Sequence, residues 1–140
     1  PLRLVGSEMC IRDSHIWKND SIQFGLDPMN GRNWSEYTFS LTGDGAAAWN
    51  HNPPEGFKSG KFDGACSVTR RGNLTEYSFT IPPERLGFEL KDGTQFRIAL
   101  LINDSDGGIR SRTMLFFDGL DGHKDTGKFG LVQLRSGRRK

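Results

Sequence analysis

From Ser21 onward the chain is written in short alternating runs of apolar and polar residues, each cut off by a cluster of turn formers. In "SIQFGLD", Ile22, Phe24 and Leu26 fall on one face, with Ser21, Gln23 and Gly25 on the other. "SEYTFSL" sets Tyr37, Phe39 and Leu41 against Glu36, Thr38 and Ser40. "LTEYSFTI" sets Thr75, Tyr77, Phe79 and Ile81 against Glu76, Ser78 and Thr80. A strand imposes this period of two, because successive side chains leave opposite faces of the pleat. "QFRIALLI" and "TMLFF" are continuously apolar instead, the pattern expected of central strands covered on both faces. The connectors "DPMNGRN", "TGDG", "NHNPPEG", "KDG" and "NDSDGG" are dense in Gly, Pro, Asn and Asp, whose backbone preferences favour turns. "PPERLGF" predicts one helical turn between strands. About eight strands and no sustained helix predict an all-β fold, an antiparallel β-sandwich.

The chain has 140 residues, enough for one domain with a core that stands without staples. Its formal charge of +2 comes from the C-terminal tail "RSGRRK", residues 135–140, where Arg135, Arg138, Arg139 and Lys140 are basic. Without those four, 15 basic residues face 17 acidic ones. Such a balance leaves no electrostatic footprint for nucleic acid, and the tail reads as a solvated end. No window approaches the roughly 18 consecutive apolar residues of a membrane span. The two cysteines keep different company: Cys66 falls in a strand-like run as a buried free thiol, and Cys10 in a run with no periodicity. A Cys10–Cys66 disulfide is not expected.

No CxxC, HExxH, GxSxG, Walker or dinucleotide motif occurs. His15, His51 and His123 lie far apart, and four Asn-x-Ser/Thr triplets (Asn19, Asn33, Asn73, Asn103) matter only in a eukaryotic secretory pathway. "LLINDSDGGIRSR" invites the thought of calcium. With Asp106 and Gly107 in loop positions five and six, an EF-hand would need ligands at Ile102 and Thr113. With Asp104 first, Ile109 stands where the glycine is required. Both frames fail. A non-EF site using Asp104, Asp106 and carbonyl oxygens stays an open reading. Otherwise the loop is a hairpin connection in which Asn103 and Asp104 satisfy local backbone N–H groups.

Residues 1–14 stand apart. "VGSEMCIRDS" shows neither strand alternation nor a helical stripe, and it resembles a translated sequencing-library adapter. The expected organisation is an adapter-like or disordered, non-native segment over 1–14, a β-sandwich over 15–134, and the basic tail over 135–140.

The order of four motifs adds a further expectation. "IWKNDSIQFGLDP", "YSFTIPPERLGF", "LLINDSDGGIR" and "HKDTGKFGLVQL" together resemble carbohydrate-binding module family 9 and its DOMON-like relatives, over about residues 16–134. The resemblance implies a jelly-roll type sandwich, here incomplete at its N-terminus because two or three strands would precede Ile16. It also implies a site in which two tryptophans hold a sugar and polar side chains bond its hydroxyls, as suits a pyranose ring. By that resemblance Trp17 matches the first tryptophan, Gln23 falls where a glutamate is usual, and Arg110 matches a family arginine. His123 stands in place of the second tryptophan, while Ser40, Leu101 and Leu120 replace an arginine, a glutamine and an asparagine. The ligand-binding set expected is thus Trp17, Gln23, Arg110 and His123. Trp34 and Trp49, in loops, offer another platform or simple edge packing.

The resulting expectation is a monomeric, non-catalytic module that binds polysaccharide or oligosaccharide. It would be an accessory domain of a larger secreted polysaccharide-acting protein, extracellular or periplasmic. It would need no cofactor beyond the open question of a structural calcium. Two alternatives stay open: a haem-binding electron-transfer domain using Met29, Met114, His51 or His123, and a structural module whose sugar pocket has decayed. A catalytic role comes last, since no nucleophile–base or metal constellation occurs.

Overall fold

The computed structural model describes residues 20–30, 32–62, 64–106 and 109–137, with the side chains of 106 and 109–111 outside that set. Residues 1–14, Cys10, His15, Ile16 and Trp17 therefore lie outside the described residues, as does the Arg110 side chain. The described residues form nine strands: β1 Ser21–Asp27, β2 Ser35–Thr42, β3 Gly45–Asn52, β4 Gly60–Lys61, β5 Cys66–Arg71, β6 Leu74–Phe79, β7 Gln95–Asp106, β8 Ile109–Phe116 and β9 Gly130–Gln133. Seven form one antiparallel sheet in the order β4-β3-β2-β1-β7-β8, with β9 also paired to β7; β5 and β6 form a second sheet. The two sheets pack on each other, so the fold is all-β and sandwich-like, as the alternation predicts. The helical turn expected at "PPERLGF" is a 3₁₀ turn, Pro83–Arg85, and a second one at Thr126–Lys128 was not legible in the sequence.

Pairing fixes which side chains share a face. β1 pairs β2 with Gln23 opposite Thr38, and pairs β7 with Gln23 opposite Leu101. Ser21, Gln23, Thr38, Ser40, Leu101 and Asn103 therefore rise from one face of the large sheet. Ile22, Phe24, Tyr37, Phe39 and Ile102 rise from the other.

The small sheet lies on that second face. Tyr37, Phe39, Ala48 and Phe62 are buried there, with Phe24, Cys66, Tyr77, Phe79 and Ile81 packed against them. Phe39 stacks on Phe79 with ring centroids 4.0 Å apart and meets Phe62 edge-on at 5.8 Å. Burying each such ring contributes about 1.5–3 kcal/mol, so this cluster is the main source of cohesion between the sheets. Cys66 is a free thiol, only partly buried, and burial pushes its pKa up from 9.0.

A second cluster sits on the opposite face, where Ala99, Leu101, Leu120 and Phe129 are buried with Trp34 against them. Gly25 makes this possible. A Cβ at that position would lie 2.7 Å from the Phe129 ring and 3.0 Å from Leu120. A bare backbone there, with Ala99 as its register partner on β7, opens the hole that receives both side chains. The segment after β8 is thereby held against the large sheet.

Three local expectations need correcting. "NDSD" is strand: β7 runs through Asp106 and still pairs β8, with an irregularity at Asp104/Ser105. Asn103 does not tie a local turn; it reaches across to β1, donating to Ser21 Oγ at 3.1 Å. "TMLFF" is not covered on both faces, for β8 pairs only β7 among the described strands, and Met114 and Phe116 are 66% and 58% exposed.

Candidate functional site

Gln23 anchors the site because β1 lies between β2 and β7 and presents it from the middle of the sheet. Its carboxamide oxygen accepts from Asn103 Nδ2 at 3.4 Å, and its Nε2 donates to Glu36 Oε1 at 3.2 Å. Lys124 Nζ donates to the same Glu36 oxygen at 2.8 Å and to the Leu120 carbonyl at 2.6 Å. A hydrogen-bonded chain thus runs from Ser21 through Asn103, Gln23 and Glu36 to Lys124. Gln23 and Glu36 are 7% and 6% exposed. Polar groups so deep are expensive unless satisfied; Gln23 and Glu36 both find partners in this chain, whereas the buried Asn103 Oδ1 finds none among the described residues.

His51 joins from β3. The register skips it: Tyr37 pairs Asn50 while Glu36 pairs Asn52, so His51 is the extra residue of a bulge. Bulges re-aim side chains, and this one brings His51 Nε2 within 2.9 Å of the Thr38 hydroxyl.

The far wall is the segment after β8. The Asp125 N–H bonds the Gly119 carbonyl at 3.0 Å, and Gly119, at φ 97°, takes a conformation that favours glycine. This ties the stretch into a closed loop whose Leu120, Asp121, Gly122 and Lys124 face Gln23, Glu36 and His51 across a cavity of about 380 Å³. The lining offers an amide, two carboxylates, an ammonium and an imidazole. That mixture can bond a polyhydroxylated molecule from several directions.

Of the four residues expected to bind ligand, Gln23 lies in this cavity. His123 sits on the exposed stretch between two lining residues, Gly122 and Lys124, without lining it. Trp17 and the Arg110 side chain lie outside the described residues. Leu101 and Leu120, which stand where the family resemblance would place amides, are buried together against Phe129. Ser40 is buried and donates to the Asp20 carbonyl at 2.9 Å. Trp34 packs edge-on against Phe129 at 5.9 Å, and Trp49 is in β3 rather than a loop, opposite Thr38.

Sequence reasoning missed Glu36, Asp121 and Lys124, and named His51 only as a haem candidate. Glu36 carried one usable signal, since the alternation of "SEYTFSL" puts it on the Gln23 face. Lys124 carried none, because its place depends on how the loop closes.

A larger concavity of about 740 Å³ opens on the other face, between the β5–β6 hairpin and β7–β8. Ile22, Leu74, Tyr77, Ile102 and Met114 give it an apolar floor. At its rim Asp20 pairs with Arg70 at 3.2 Å and accepts from the Ser105 N–H at 2.8 Å. Met114 and His51 therefore lie on opposite faces of the sheet. No group of three or more His, Cys, Asp or Glu residues able to hold a metal occurs among the described residues. Likewise, no described helix is long and apolar enough to cross a membrane. No family model, curated protein or solved structure matches the chain.

Proposed function

We propose that this chain is a non-catalytic carbohydrate-binding module, an accessory domain of a larger secreted polysaccharide-acting protein. The observation that carries the reading is the cavity around Gln23. There, the buried Gln23 and Glu36 from β1 and β2 and the half-buried His51 from β3 converge while a loop closes the far side. Sugar hydroxyls both donate and accept, and this lining supplies partners of both kinds. Held by one another, the groups are set in place before a ligand arrives, which lowers the entropy cost of binding. Trp49 rises from the same face, opposite Thr38. The order of the four sequence motifs supports the same class.

Affinity electrophoresis of the purified chain through gels containing xylan, cellulose derivatives or pectin tests the proposal. Retardation by at least one polymer, abolished in Gln23→Leu, is the expected result. Uniform mobility in all gels and no response on a glycan array would leave the structural-module reading. A Soret band in the purified protein would instead point to the haem-binding alternative.

A further inference from the structure

The larger concavity continues the core of the sandwich outward. Phe24 of β1 meets Phe79 of β6 with ring centroids 5.6 Å apart and closes the inner end. One alternation step further along each strand come Ile22 and Tyr77, and there the layers part around the gap of about 740 Å³. On the wall of the large sheet, Ile22, Ile102 and Met114 stand in one row, since Ile22 pairs with Ile102 and Ile102 with Met114. Leu74 and Tyr77 line the wall of the hairpin. Asp20 and Arg70 bridge the two walls at the rim, 3.2 Å apart, and the Ser105 N–H donates to Asp20 at 2.8 Å. The gap is thus spanned and held open, and Leu74 and Met114 are each 66% exposed in it.

We infer that this gap is a second binding site, and that it takes a single unbranched alkyl or acyl chain free in solution. Its size lies within the roughly 300–1,000 Å³ of small-molecule sites, and it has their makeup, apolar walls with a few polar groups at the mouth. A narrow chain enters between two layers whose side chains would otherwise interdigitate, and its methylenes leave water together with Leu74, Ile102 and Met114. The mouth carries charge of both signs. Asp20 is paired with Arg70, and Asp104 stands opposite Arg112 in the register of β7 and β8. An uncharged chain suits that balance, so its length, and not its head group, sets the affinity. The gap lies on the opposite face of the sheet from Gln23, and the inference stands independently of the carbohydrate reading.

The test is calorimetry of the full chain with hexanol, octanol and decanol, and with the matching carboxylates below their micelle concentrations. Affinity should rise about fourfold per methylene in both series, the increment expected for burying each CH₂. Met114→Lys sets an ammonium in the apolar row and should weaken decanol binding on the order of tenfold. Leu74→Ser, on the opposite wall, should weaken it by about threefold and covers the case in which Met114→Lys does not fold. Leu131→Ser removes an apolar side chain that is 57% exposed outside the gap, and should leave decanol binding unchanged. No binding of any chain, or an affinity that does not depend on chain length, overturns the inference. So does a loss with Leu131→Ser as large as that with Leu74→Ser, which is what unspecific adsorption to exposed apolar surface would give. Binding to phosphatidylcholine vesicles in preference to the free chains would make this face a membrane-docking surface and overturns it as well.

Discussion

Strands β2 and β8 invert what their sequences suggest. β2, "SEYTFSLT", alternates like a half-exposed strand, yet its first six residues are all buried. β8 ends in the nearly unbroken apolar run "TMLF", yet Met114, Leu115 and Phe116 are exposed at 66%, 42% and 58%. Position in the sheet makes the difference. β2 lies inside, between β1 and β3, with the small sheet over one face and polar partners on the other. Among the described strands β8 lies at an edge, and the small sheet of β5 and β6 packs against β2 and β3 instead. Apolar composition therefore measures what a strand could bury, and tertiary position decides what it does bury.

The comparison breaks most sharply at Phe39. Phe39→Ala removes the ring that stacks on Phe79 and meets Phe62, and should cost about 3–5 kcal/mol in urea denaturation. Gly25→Ala comes next. Its methyl group would press into Phe129 and Leu120, and overpacking of that kind costs about 1–3 kcal/mol. If Gly25→Ala proves neutral, the loop is not seated on the sheet as described. Gln23→Leu should cost about 1–3 kcal/mol, because it leaves Asn103 and Glu36 each short of a buried partner.

Alkaline pH probes the buried face of the same strand. Burial pushes the Tyr37 phenol up from 10.0, against smaller downward pulls from Ser35 and Arg85. Tyr77 is raised from the same value by burial and by Asp20. Both phenols titrate higher in the folded state than in the unfolded one. Their contribution is thus fully present below about pH 10 and lost as the pH climbs beyond it. Urea midpoints measured from pH 8 to 11 should fall at the alkaline end, and Tyr37→Phe should flatten that fall.

The smallest effect belongs to β8. Met114→Ser should change stability by no more than about 0.5 kcal/mol while raising solubility, because the side chain is already in water. A loss as large as that of Phe39→Ala would mean that β8 is covered in solution.

Much of the fold was legible because the strand period is a local property. The pairs of faces read from "SIQFGLD" and "SEYTFSL" are those the register shows, with Gln23 beside Thr38 and Phe24 beside Tyr37. "NDSDGG" misled because turn-forming residues tolerate a paired strand when neighbours supply partners. Asp20 accepting from the Ser105 N–H, and Ser21 from Asn103, are such partners, more than eighty residues away in sequence. The site was half legible. Gln23 was found through a motif resemblance, whereas Glu36 and Lys124 are 88 residues apart and meet only because Phe129 fills the hole over Gly25.

By itself, then, the sequence determined that this chain forms antiparallel strands and which residues of each strand share a face. Alternation and turn chemistry act over a few residues and need no distant partner. Only the tertiary structure decided which faces are covered, where the exposed apolar edge falls, and that Gln23, Glu36, His51 and Lys124 surround one cavity. Those outcomes depend on register and loop closure, which bring together residues that no local pattern links.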